Sequence, residues 1–335
     1  MTTPLHYAIV GAGIAGLSCA RALTDAGVQV TVFDKSRGPA GRMSTRRGDG
    51  WACDHGAQYF TARDPLFLAE LERWQTAGVA ARWQPRLTVF DAHGRRDGGG
   101  AEARYVGTPR MTAPGRLVAD GLNLRVQTTV NALHRYEHGW ELATAERGLL
   151  AEAFDGVLLA VPAPQALPLL QPVLPGLAEV ATAARMQACW ALMLRFEAPL
   201  ALDFDGAFVN HGALRWIARD TSKPGRTGQE TWTLHASAEW SEAHTEDGPD
   251  HVAAALIAEF CALGGAAPLA WSAHRWRYAI TESAVEGGYV WHSAAGLGLC
   301  GDWLNGGRVE GAWLSGHALA HRVLASARGA ELARA

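Results

Sequence analysis

Lysine is almost absent from this chain of 335 residues, which has only Lys35 and Lys223. The net charge of −3 gives no electrostatic reason to expect binding to nucleic acid or to an anionic membrane. No apolar run approaches the length of a membrane span, and no secretory signal precedes the apolar stretch at residues 8–10. We therefore expect a cytoplasmic protein with neither a membrane partner nor a nucleic-acid partner.

The chain also lacks paired cysteines and two common hydrolase motifs. Its five cysteines are odd in number, scattered and never spaced as C-x-x-C. This pattern predicts reduced thiols, with neither a disulfide scaffold nor a zinc site. Neither H-E-x-x-H nor the G-x-S-x-G nucleophile elbow occurs, so we predict no metal and the pattern argues against a serine hydrolase.

Tryptophan, in contrast, is abundant, with thirteen residues. Its flat and largely apolar side chain suits the wall of a cavity that binds a flat ligand. The same side chain is equally suited to plain core packing, so the count leaves both roles open. The hydrophobic content of 48% and the charged content of 19% are ordinary for a packed protein.

Apolar runs alternate with turn residues in an order that predicts a mixed α/β protein. Residues 7–10 form a predicted buried strand, residues 14–26 a helix that Gly27 ends, and residues 28–33 a second buried strand. Further helices are predicted within residues 66–83, 251–263 and 312–324, and strands within residues 86–106, 122–143, 155–164, 185–240 and 297–300. The pattern is typical of a parallel nucleotide-binding core at both ends of the chain, with β-rich segments inserted between them.

The motif GAGIAG, at residues 11–16, lies between the first predicted strand and the first predicted helix, as a dinucleotide fingerprint requires. Gly11 allows the tight turn, Gly13 lets the backbone approach a pyrophosphate, and Gly16 lets the helix pack closely on the strand. The N-terminus of the helix presents unpaired N–H groups to the phosphates. Asp34 ends the second strand, at the spacing where a carboxylate binds ribose hydroxyls.

The residues of this motif alone leave two questions open. A glycine-rich turn with a surface aspartate is the plain structural alternative, and the fingerprint does not distinguish NAD from FAD. A second G-x-G-x-x-G occurs at residues 296–301, but neither an immediate helix nor a strand that ends in an acid follows it. We interpret this stretch as a strand that delivers Gly301 and Asp302 to a ligand. One nucleotide is then held from both ends of the chain, as FAD is held in flavoproteins that resemble glutathione reductase.

Candidate flavin contacts follow in two places. Arg42 stands close behind the ribose acid and suits a charge-assisted contact to the pyrophosphate, while Gln58 and Tyr59 offer polar atoms and an aromatic face to a flat ring. Asp302 suits a ribityl hydroxyl, and a helix predicted to begin at residues 309–312 would stabilise the negative charge of a reduced flavin. For the segment with Gln58 and Tyr59, the alternative is a turn whose aromatic residues belong to the core. The nearby arginines are interpreted as solvated or ion-paired at the rim: Arg37, Arg46 and Arg47.

The stretches GRMSTRR, GAQYFTARD, WIARDTSKPGR and GRVEGAWLSG occur together in this order. Together they resemble bacterial renalases, which belong to the FAD-dependent amine-oxidase-like superfamily, and the similarity runs over about residues 5–325. The resemblance implies an architecture like that of p-hydroxybenzoate hydroxylase, with non-covalent FAD. It also implies an activity, the oxidation of misreduced 2- or 6-dihydro isomers of NAD(P)H to NAD(P)⁺. Hydride transfer to flavin N5 is then followed by reduction of O₂ to H₂O₂.

The predicted fold class is therefore α/β. It combines an FAD-binding Rossmann-like core, of the glutathione-reductase or p-hydroxybenzoate-hydroxylase type, with an inserted β-rich substrate domain. We expect the discontinuous FAD-binding domain to comprise residues 1–62, 110–165 and 290–330, and the substrate domain to comprise residues 63–109 and 166–289.

The motifs and the resemblance together give a set of expected site residues. The expected cofactor-binding residues are Gly11, Ala12, Gly13, Ile14, Ala15, Gly16, Asp34, Lys35, Arg42, Gln58, Tyr59, Val130, Gly301, Asp302, Val309, Glu310, Gly311 and Ala312. The substrate face that the resemblance implies consists of Tyr59, Phe60, Thr61, Arg63, His274, Arg275 and Trp276. Arg110 departs from the family pattern, in which we expect glycine after the Thr-Pro pair.

The scarcity of lysine bears on the substrate. Many amine oxidases of the superfamily keep a lysine near flavin N5, whereas Lys35 stands beside the ribose acid and Lys223 is interpreted as a solvated charge in a turn. A dihydronicotinamide needs no base, because loss of hydride gives an aromatic cation directly, so position and water exclusion suffice. Arg63 and Arg275 are candidates for the dinucleotide phosphates or, equally, for structural ion pairs. Another oxidase, acting on an amine or a desaturable substrate, and a non-catalytic flavin-binding protein remain alternatives.

Overall fold

A computed structural model of the protein describes residues 5–100, 102–137 and 139–332. Its α-helices are α1 (Ile14–Asp25), α2 (Pro65–Thr76), α3 (Ala113–Ala119), α4 (Ala163–Leu170), α5 (Pro175–Ala183), α6 (Ala238–Ala243), α7 (Pro249–Ala262) and α8 (Val309–Leu332). Single turns of 3-10 helix lie at Asp220–Ser222 and Asp302–Leu304. Within the described ranges, the helices are too short or too polar to cross a membrane.

The β-strands are, in chain order, β1 (His6–Val10), β2 (Gln29–Phe33), β3 (Thr45–Gly48), β4 (Trp51–Asp54), β5 (Ala80–Trp83), β6 (Leu87–Asp91), β7 (Gly94–Asp97), β8 (Arg104–Gly107), β9 (Asn123–Arg125), β10 (Val130–Tyr136), β11 (Gly139–Thr144), β12 (Gly148–Phe154), β13 (Gly156–Leu159), β14 (Arg185–Phe196), β15 (Gly206–Val209), β16 (Leu214–Arg219), β17 (Glu230–Ala236), β18 (Ala270–Ser283), β19 (Tyr289–His292) and β20 (Leu297–Cys300). They form two large sheets and three small ones.

The first large sheet has six strands, in the order β19-β20-β13-β1-β2-β9. β1 and β2 are parallel, with His6 opposite Gln29 and Val10 opposite Phe33, and α1 connects them. Most residues of both strands are buried, as expected for parallel strands that are covered on both faces. The predicted βαβ unit at the start of the chain is therefore confirmed.

This first sheet takes strands from both ends of the chain. β20 lies parallel to β13, and β19 closes that edge in the antiparallel direction. After β20 the chain forms a 3-10 turn and then α8, so residues 289–332 contain no second βαβ unit. The second G-x-G-x-x-G therefore belongs to the same sheet as GAGIAG, which agrees with our interpretation of it as a strand.

The second large sheet has seven strands, in the order β18-β14-β17-β16-β15-β6-β7. Phe204, Trp232 and Phe260 form the centre of its core, and α7 contributes Phe260 and covers the sheet. The architecture is thus a Rossmann-like core of the FAD-binding type with a second, β-rich domain, which confirms the predicted fold class. The boundaries of the two domains remain a prediction.

The last helix packs directly on the first. A Cβ at Gly316 of α8 would overlap the carbonyl oxygen of Ala15 in α1, so only glycine allows the two helices to approach this closely. Between the same helices, Oγ of Ser18 donates to the carbonyl oxygen of Trp313 over 2.9 Å. The C-terminal helix therefore completes the layer that α1 begins.

The helix predicted over residues 66–83 is shorter in the structure. α2 ends at Thr76, and β5 begins at Ala80 and pairs with β8. Gly78, between them, has a φ of +72°, a conformation that favours glycine and commonly follows a helix C-terminus. The prediction was wrong for residues 77–83 because the apolar spacing continued past this glycine stop.

Candidate functional site

A cavity of about 1680 Å³ runs between the two large sheets. It begins beside Gly11, Gly13 and Asp34, at the carboxyl ends of β1 and β2, and reaches His274 and Trp276 on β18. Open α/β sheets bind their ligands outside the carboxyl ends of the strands. Small-molecule sites usually measure about 300–1,000 Å³, so this cavity has the capacity for a dinucleotide and part of a second ligand.

The glycines of GAGIAG form a cradle at one end of the cavity. Gly11 has a φ of +110°, and a Cβ there would lie 2.5 Å from the carbonyl oxygen of Ala160. A Cβ on Gly16 would overlap the carbonyl oxygen of Gly11. A Cβ on Gly13 would meet no atom within 4 Å, and α1 begins at the next residue without a side-chain cap. Open space over Gly13 and uncapped N–H groups fit a pyrophosphate.

Asp34 lies on the cavity wall at the end of β2. Its Oδ2 accepts the backbone N–H of Ala12 at 2.6 Å, and its Oδ1 accepts that of Ser36 at 2.7 Å. A carboxylate has about four lone-pair sites, so each oxygen can still accept a ribose hydroxyl. Val130 and the exposed Lys35 line the same part of the cavity.

Arg42 and Asp302, two expected cofactor contacts from opposite ends of the chain, bind each other. Nη1 and Nη2 of Arg42 lie 3.1 and 2.5 Å from the two carboxylate oxygens of Asp302. Oγ1 of Thr281 also donates to Asp302, over 3.3 Å. The Arg42 side chain is 31% exposed and lines the cavity, whereas that of Asp302 is buried. This ion pair therefore joins the GRMSTRR segment to the loop that follows β20 at the cavity wall.

The expected site residues divide into two groups. Those that line the cavity are Gly11, Gly13, Asp34, Lys35, Arg42, Val130, His274, Arg275 and Trp276. Those that do not line it are Ala12, Ile14, Ala15, Gly16, Gln58, Tyr59, Phe60, Thr61, Arg63, Gly301, Asp302, Val309, Glu310, Gly311 and Ala312. Within this second group, Asp302 binds Arg42 of the wall, and the backbone N–H of Ala12 donates to Asp34.

The start of α8 shows how this second group is held. α8 begins at Val309, as predicted, and Glu310 lies in its first turn. One oxygen of Glu310 accepts the backbone N–H groups of Arg63 and Asp64, at 2.6 and 2.7 Å. The side chain of Arg63 is exposed and pairs with Glu102. One oxygen of the Glu310 carboxylate is therefore occupied by the protein backbone.

The interpretation of Lys223 as a solvated charge is wrong, because its side chain has no exposed surface. Its Nζ donates to Oδ1 of Asp220 at 2.7 Å and to Oδ2 of Asp54 at 3.1 Å. It also donates to Oε1 of Gln58 at 3.2 Å. An ammonium group has three N–H donors, so these three partners use all of them.

Lys223 belongs to a buried network of two acids and two bases. Nη2 of Arg226 lies 2.5 Å from Oδ2 of Asp54, and Asp54 and Asp220 are both closed to solvent. Burial would raise the pKa of Asp54, but Lys223 and Arg226 outweigh it and hold that pKa well below its usual range. Burial would lower the pKa of Lys223, but Asp220 and Asp54 raise it above the usual value. The lysine therefore stays protonated and cannot act as a base.

An aromatic cluster lies at the other end of the cavity. The ring of His55 stacks on Trp276 at 5.3 Å between centroids and meets His274 edge-on at 4.9 Å. Nε1 of Trp276 and Nε2 of His235 both donate to the carbonyl oxygen of His55, over 2.8 and 3.2 Å. His55 was not among the residues predicted from the sequence, although it stands only three residues before the predicted contact Gln58.

These histidines are neutral at neutral pH. Burial, together with His274 and Arg46, lowers the pKa of His55 to about 3. Burial and then Arg46 lower the pKa of His274 to about 4. Burial is also the main reason that the pKa of His235 falls to about 4. Imidazoles with such low pKa values are weak bases, so this cluster is poorly suited to general-base catalysis.

Arg275, the second candidate for the substrate phosphates, lines the cavity, but its side chain already has partners within the protein. Its Nη1 donates to the carbonyl oxygen of Thr245 and lies 3.3 Å from Oε2 of Glu246. Arg277 pairs with the same glutamate at 3.0 Å. Of the two interpretations left open for Arg63 and Arg275, the structure favours the ion pair in both cases.

The tryptophans take both of the roles left open by their number. Trp51 and Trp276 line the cavity. Four others are almost completely buried in the core: Trp74, Trp140, Trp232 and Trp303. Trp216 packs against Tyr59, which is half-buried, at 5.5 Å between ring centroids.

Outside the cavity, one group of side chains has the composition of a metal site. His244, Asp247 and His251 each offer a ligand atom within 4.8 Å of the others. Nδ1 of His244 already lies 2.7 Å from the carbonyl oxygen of Trp240. The expectation that the protein binds no metal therefore remains a prediction.

The sequence over residues 9–71 matches the model of the NAD(P)-binding Rossmann-like domain family. This chain contains such a domain. A hydroxyneurosporene desaturase of Rubrivivax gelatinosus is 39% identical to it over 107 residues, which are 27% of this chain and 20% of the desaturase. An L-amino-acid oxidase of Siganus canaliculatus is 39% identical over 95 residues, which are 28% of this chain and 17% of the oxidase. The chain thus spans only about a fifth of the length of these relatives.

Over these stretches the chain is therefore similar in sequence to a desaturase and to an amino-acid oxidase. The likeness in structure extends further than the likeness in sequence. A putative protoporphyrinogen oxidase from Exiguobacterium sp. 255-15 superimposes with a TM-score of 0.79, over 96% of this chain and 99% of that chain, at 13% identity. The two proteins therefore share their fold over nearly the whole chain.

Proposed function

We propose that this protein is a renalase-like oxidase with non-covalently bound FAD. It converts the aberrant 2- and 6-dihydro isomers of NAD(P)H to NAD(P)⁺. The resemblance of the four quoted stretches to bacterial renalases motivates the proposal, and the similarity to flavin-dependent oxidases and desaturases supports its general class. Its partners are then a small dinucleotide substrate and O₂.

The residues at the first end of the cavity fit FAD. The open space over Gly13 and the uncapped start of α1 suit the pyrophosphate, and Asp34 suits the ribose of the adenosine. Arg42, which Asp302 holds from behind the wall, would meet the cofactor farther along the cavity. Bound FAD supplies a hydride acceptor whose electrons pass on to O₂, which gives H₂O₂. The buried thiol of Cys300 and the other free cysteines are outside the cavity lining, which supports a non-covalent cofactor.

The choice of substrate rests on one observation: all three N–H donors of the Lys223 ammonium group already have partners within the protein. Its three N–H donors go to Asp54, Asp220 and Gln58, and its raised pKa keeps it charged. It can therefore neither remove a proton from an amine nor hold a water molecule towards a substrate. Oxidation of a dihydronicotinamide needs neither action, because the donor gives up a hydride and becomes aromatic. The chain's own residues then need only to bind, orient and exclude water.

The second candidate is another oxidase of the superfamily, acting on an amine or a desaturable substrate. The similarity to a desaturase and to an L-amino-acid oxidase favours it. It requires a base or another route for the substrate's proton. Near β18, the cavity lining offers the weakly basic His55 and His274 for that purpose.

Anaerobic mixing in a stopped-flow instrument tests the choice. The purified yellow protein is mixed separately with 2-dihydro, 6-dihydro and ordinary 4-dihydro NADH while the flavin absorbance is followed. We expect the 2- or 6-dihydro isomers to bleach the flavin at least about a hundredfold faster than the 4-dihydro form, because a misplacement of about 1 Å at the reacting carbon has an effect of this order. Comparable rates with all three isomers, or bleaching by amines alone, would contradict the proposal.

A further inference from the structure

Arg46 lies on the cavity wall without an acidic partner. It was expected to be solvated or ion-paired at the rim. In the structure the residue is half-buried on β3, lines the cavity and makes no ion pair with a described residue. Its Nη2 lies 3.3 Å from Nδ1 of His274. Among the residues that the structure describes, no carboxylate lies within ion-pair distance of this guanidinium group. Its charge is therefore not neutralised by any carboxylate of the described residues.

Three other arginines of the cavity wall differ in this respect. Arg42 is paired with Asp302, Arg226 with Asp54, and Arg275 with Glu246. Arg47 and Arg110 have no acidic partner either among the described residues. Arg47 is exposed, so water solvates its charge, whereas Arg110 is half-buried like Arg46. A half-buried cation without a counter-ion is costly unless a ligand or ordered water satisfies it.

The groups around Arg46 make the wall a set of hydrogen-bond donors. His274 is neutral and accepts from Arg46 at Nδ1, so its proton is on Nε2, which can donate to a ligand. His55, whose ring meets His274 edge-on, has a buried Nδ1 with no hydrogen-bond partner. Trp276 adds an indole ring beside both imidazoles. No acidic side chain contacts this cluster among the described residues.

We propose that Arg46 and His274 form an anion-binding subsite, which takes a phosphate or carboxylate group of the substrate. The planar guanidinium group suits both oxyanions, because it can donate two parallel hydrogen bonds. The subsite rests on the proposed function in one respect: there, the anion is the pyrophosphate of the dinucleotide. Arg46 thus takes the role that the sequence suggested for Arg63 and Arg275, both of which are bound to glutamates.

Isothermal titration calorimetry on the flavin-loaded protein tests the subsite without turnover. The probes are inorganic pyrophosphate, which represents a phosphate substrate, and benzoate, which represents a carboxylate substrate. We expect Arg46→Gln to raise the Kd of the anion that binds by about tenfold to a hundredfold, the range for lost hydrogen bonds to a charged group. Arg46→Lys keeps the charge and is expected to lose less.

Arg82→Gln is the matched control, since Arg82 is exposed on β5, outside the cavity lining and without a partner in the described chain. It removes the same charge and should leave the Kd within about twofold. Arg110→Gln tests the competing position, because Arg110 lines the same cavity. Binding of pyrophosphate alone identifies a phosphate substrate, and binding of benzoate alone identifies a carboxylate substrate; both results support the subsite. Binding of neither anion, or loss of binding in Arg110→Gln instead of Arg46→Gln, overturns it.

The two proposals fail separately. If dihydronicotinamides bleach the flavin and Arg46→Gln changes neither Kd, the subsite is wrong and the oxidase stands. If the anions bind through Arg46 and no dihydronicotinamide bleaches the flavin, the subsite stands and the oxidase proposal fails.

Discussion

Nζ of Lys223 donates to Oε1 of Gln58 from a position that is closed to solvent. The contact links a loop after β16 to the segment that follows β4, two regions that are 165 residues apart in the chain. The amide nitrogen of Gln58 donates in turn to the carbonyl oxygens of Asp54 and Gly56. The orientation of the Gln58 amide is therefore fixed from both sides.

Replacement of this lysine by methionine should strongly destabilise the protein. Lys223→Met leaves Asp54 and Asp220 buried with Arg226 as their only remaining base, and breaking a buried ion pair commonly costs about 3–5 kcal/mol. The free energy of unfolding, measured by urea titration, should fall by about that amount. Arg82→Met, an exposed charge removal, should change it by less than about 0.5 kcal/mol. A loss of under about 1 kcal/mol in Lys223→Met would show that the network is not a major source of stability.

The free energy of unfolding should also decrease as the pH is lowered. The pKa values of His55, His235 and His274 lie at about 3, 4 and 4 in the folded protein, against 6.5 in the unfolded chain. The unfolded state therefore binds more protons below pH 6.5, so the contribution of these groups is complete above that pH and is lost as the pH falls towards 4. Each group can contribute a slope of at most about 1.4 kcal/mol per pH unit.

Urea titrations between pH 7.5 and 5, a range that we choose to lie above most carboxylate titrations, measure this slope. His235→Gln removes one of the three groups and should make the slope shallower. His211→Gln changes an exposed histidine outside this cluster and should leave the slope unaltered. An identical slope in His235→Gln and the unmodified protein would contradict the assignment.

Gly13→Val should fold but fail to retain FAD. A Cβ at this position meets no protein atom within 4 Å, so the side chain would fill only the space that we assign to the pyrophosphate. The measurement is the ratio of flavin to protein absorbance after gel filtration, with circular dichroism as the check on folding. Gly176→Val, another glycine with open space around its Cβ, is the control and should keep its flavin. A yellow Gly13→Val protein would refute the pyrophosphate assignment.

The limiting rate of flavin reduction should be nearly independent of pH between about 6 and 9. Hydride transfer from a dihydronicotinamide requires no side chain to gain or lose a proton. The pKa values of His55 and His274 lie below this range, and Lys223 stays charged through it. An amine substrate must shed a proton, which normally appears as a titration limb in the rate. Stopped-flow reduction at saturating substrate measures the profile, and a tenfold change per pH unit would favour the amine or desaturase alternative.

Local features of the sequence predicted much of the fold. The βαβ unit, the strand at Leu297–Cys300 and the start of α8 at Val309 all depend on neighbouring residues, whose spacing is visible in the chain. The glycines of GAGIAG could be assigned separate roles because backbone geometry determines each of them. The stop at Gly78 was missed because the apolar spacing on both sides was given more weight than the glycine.

Contacts between distant segments could not be predicted in the same way. Lys223 was misinterpreted because a lysine next to proline and glycine is usually exposed, and nothing nearby reveals that Asp54 packs against it. Asp220 and Lys223 stand three residues apart inside one of the stretches that carry the resemblance, and this was the only available sign. The meeting of Arg46 with His274 and of Arg42 with Asp302 likewise depends on the arrangement of the two sheets.

The packing of α8 on α1 affects the order in which the protein can fold during its synthesis on the ribosome. The first βαβ unit leaves the ribosome early, but the helix that covers α1 and the strand that pairs with β13 come from residues 297–332. Until those residues are synthesised, the apolar surface of the first unit and one edge of its sheet stay uncovered. The six-stranded sheet is thus completed only after every strand of the seven-stranded sheet has been synthesised.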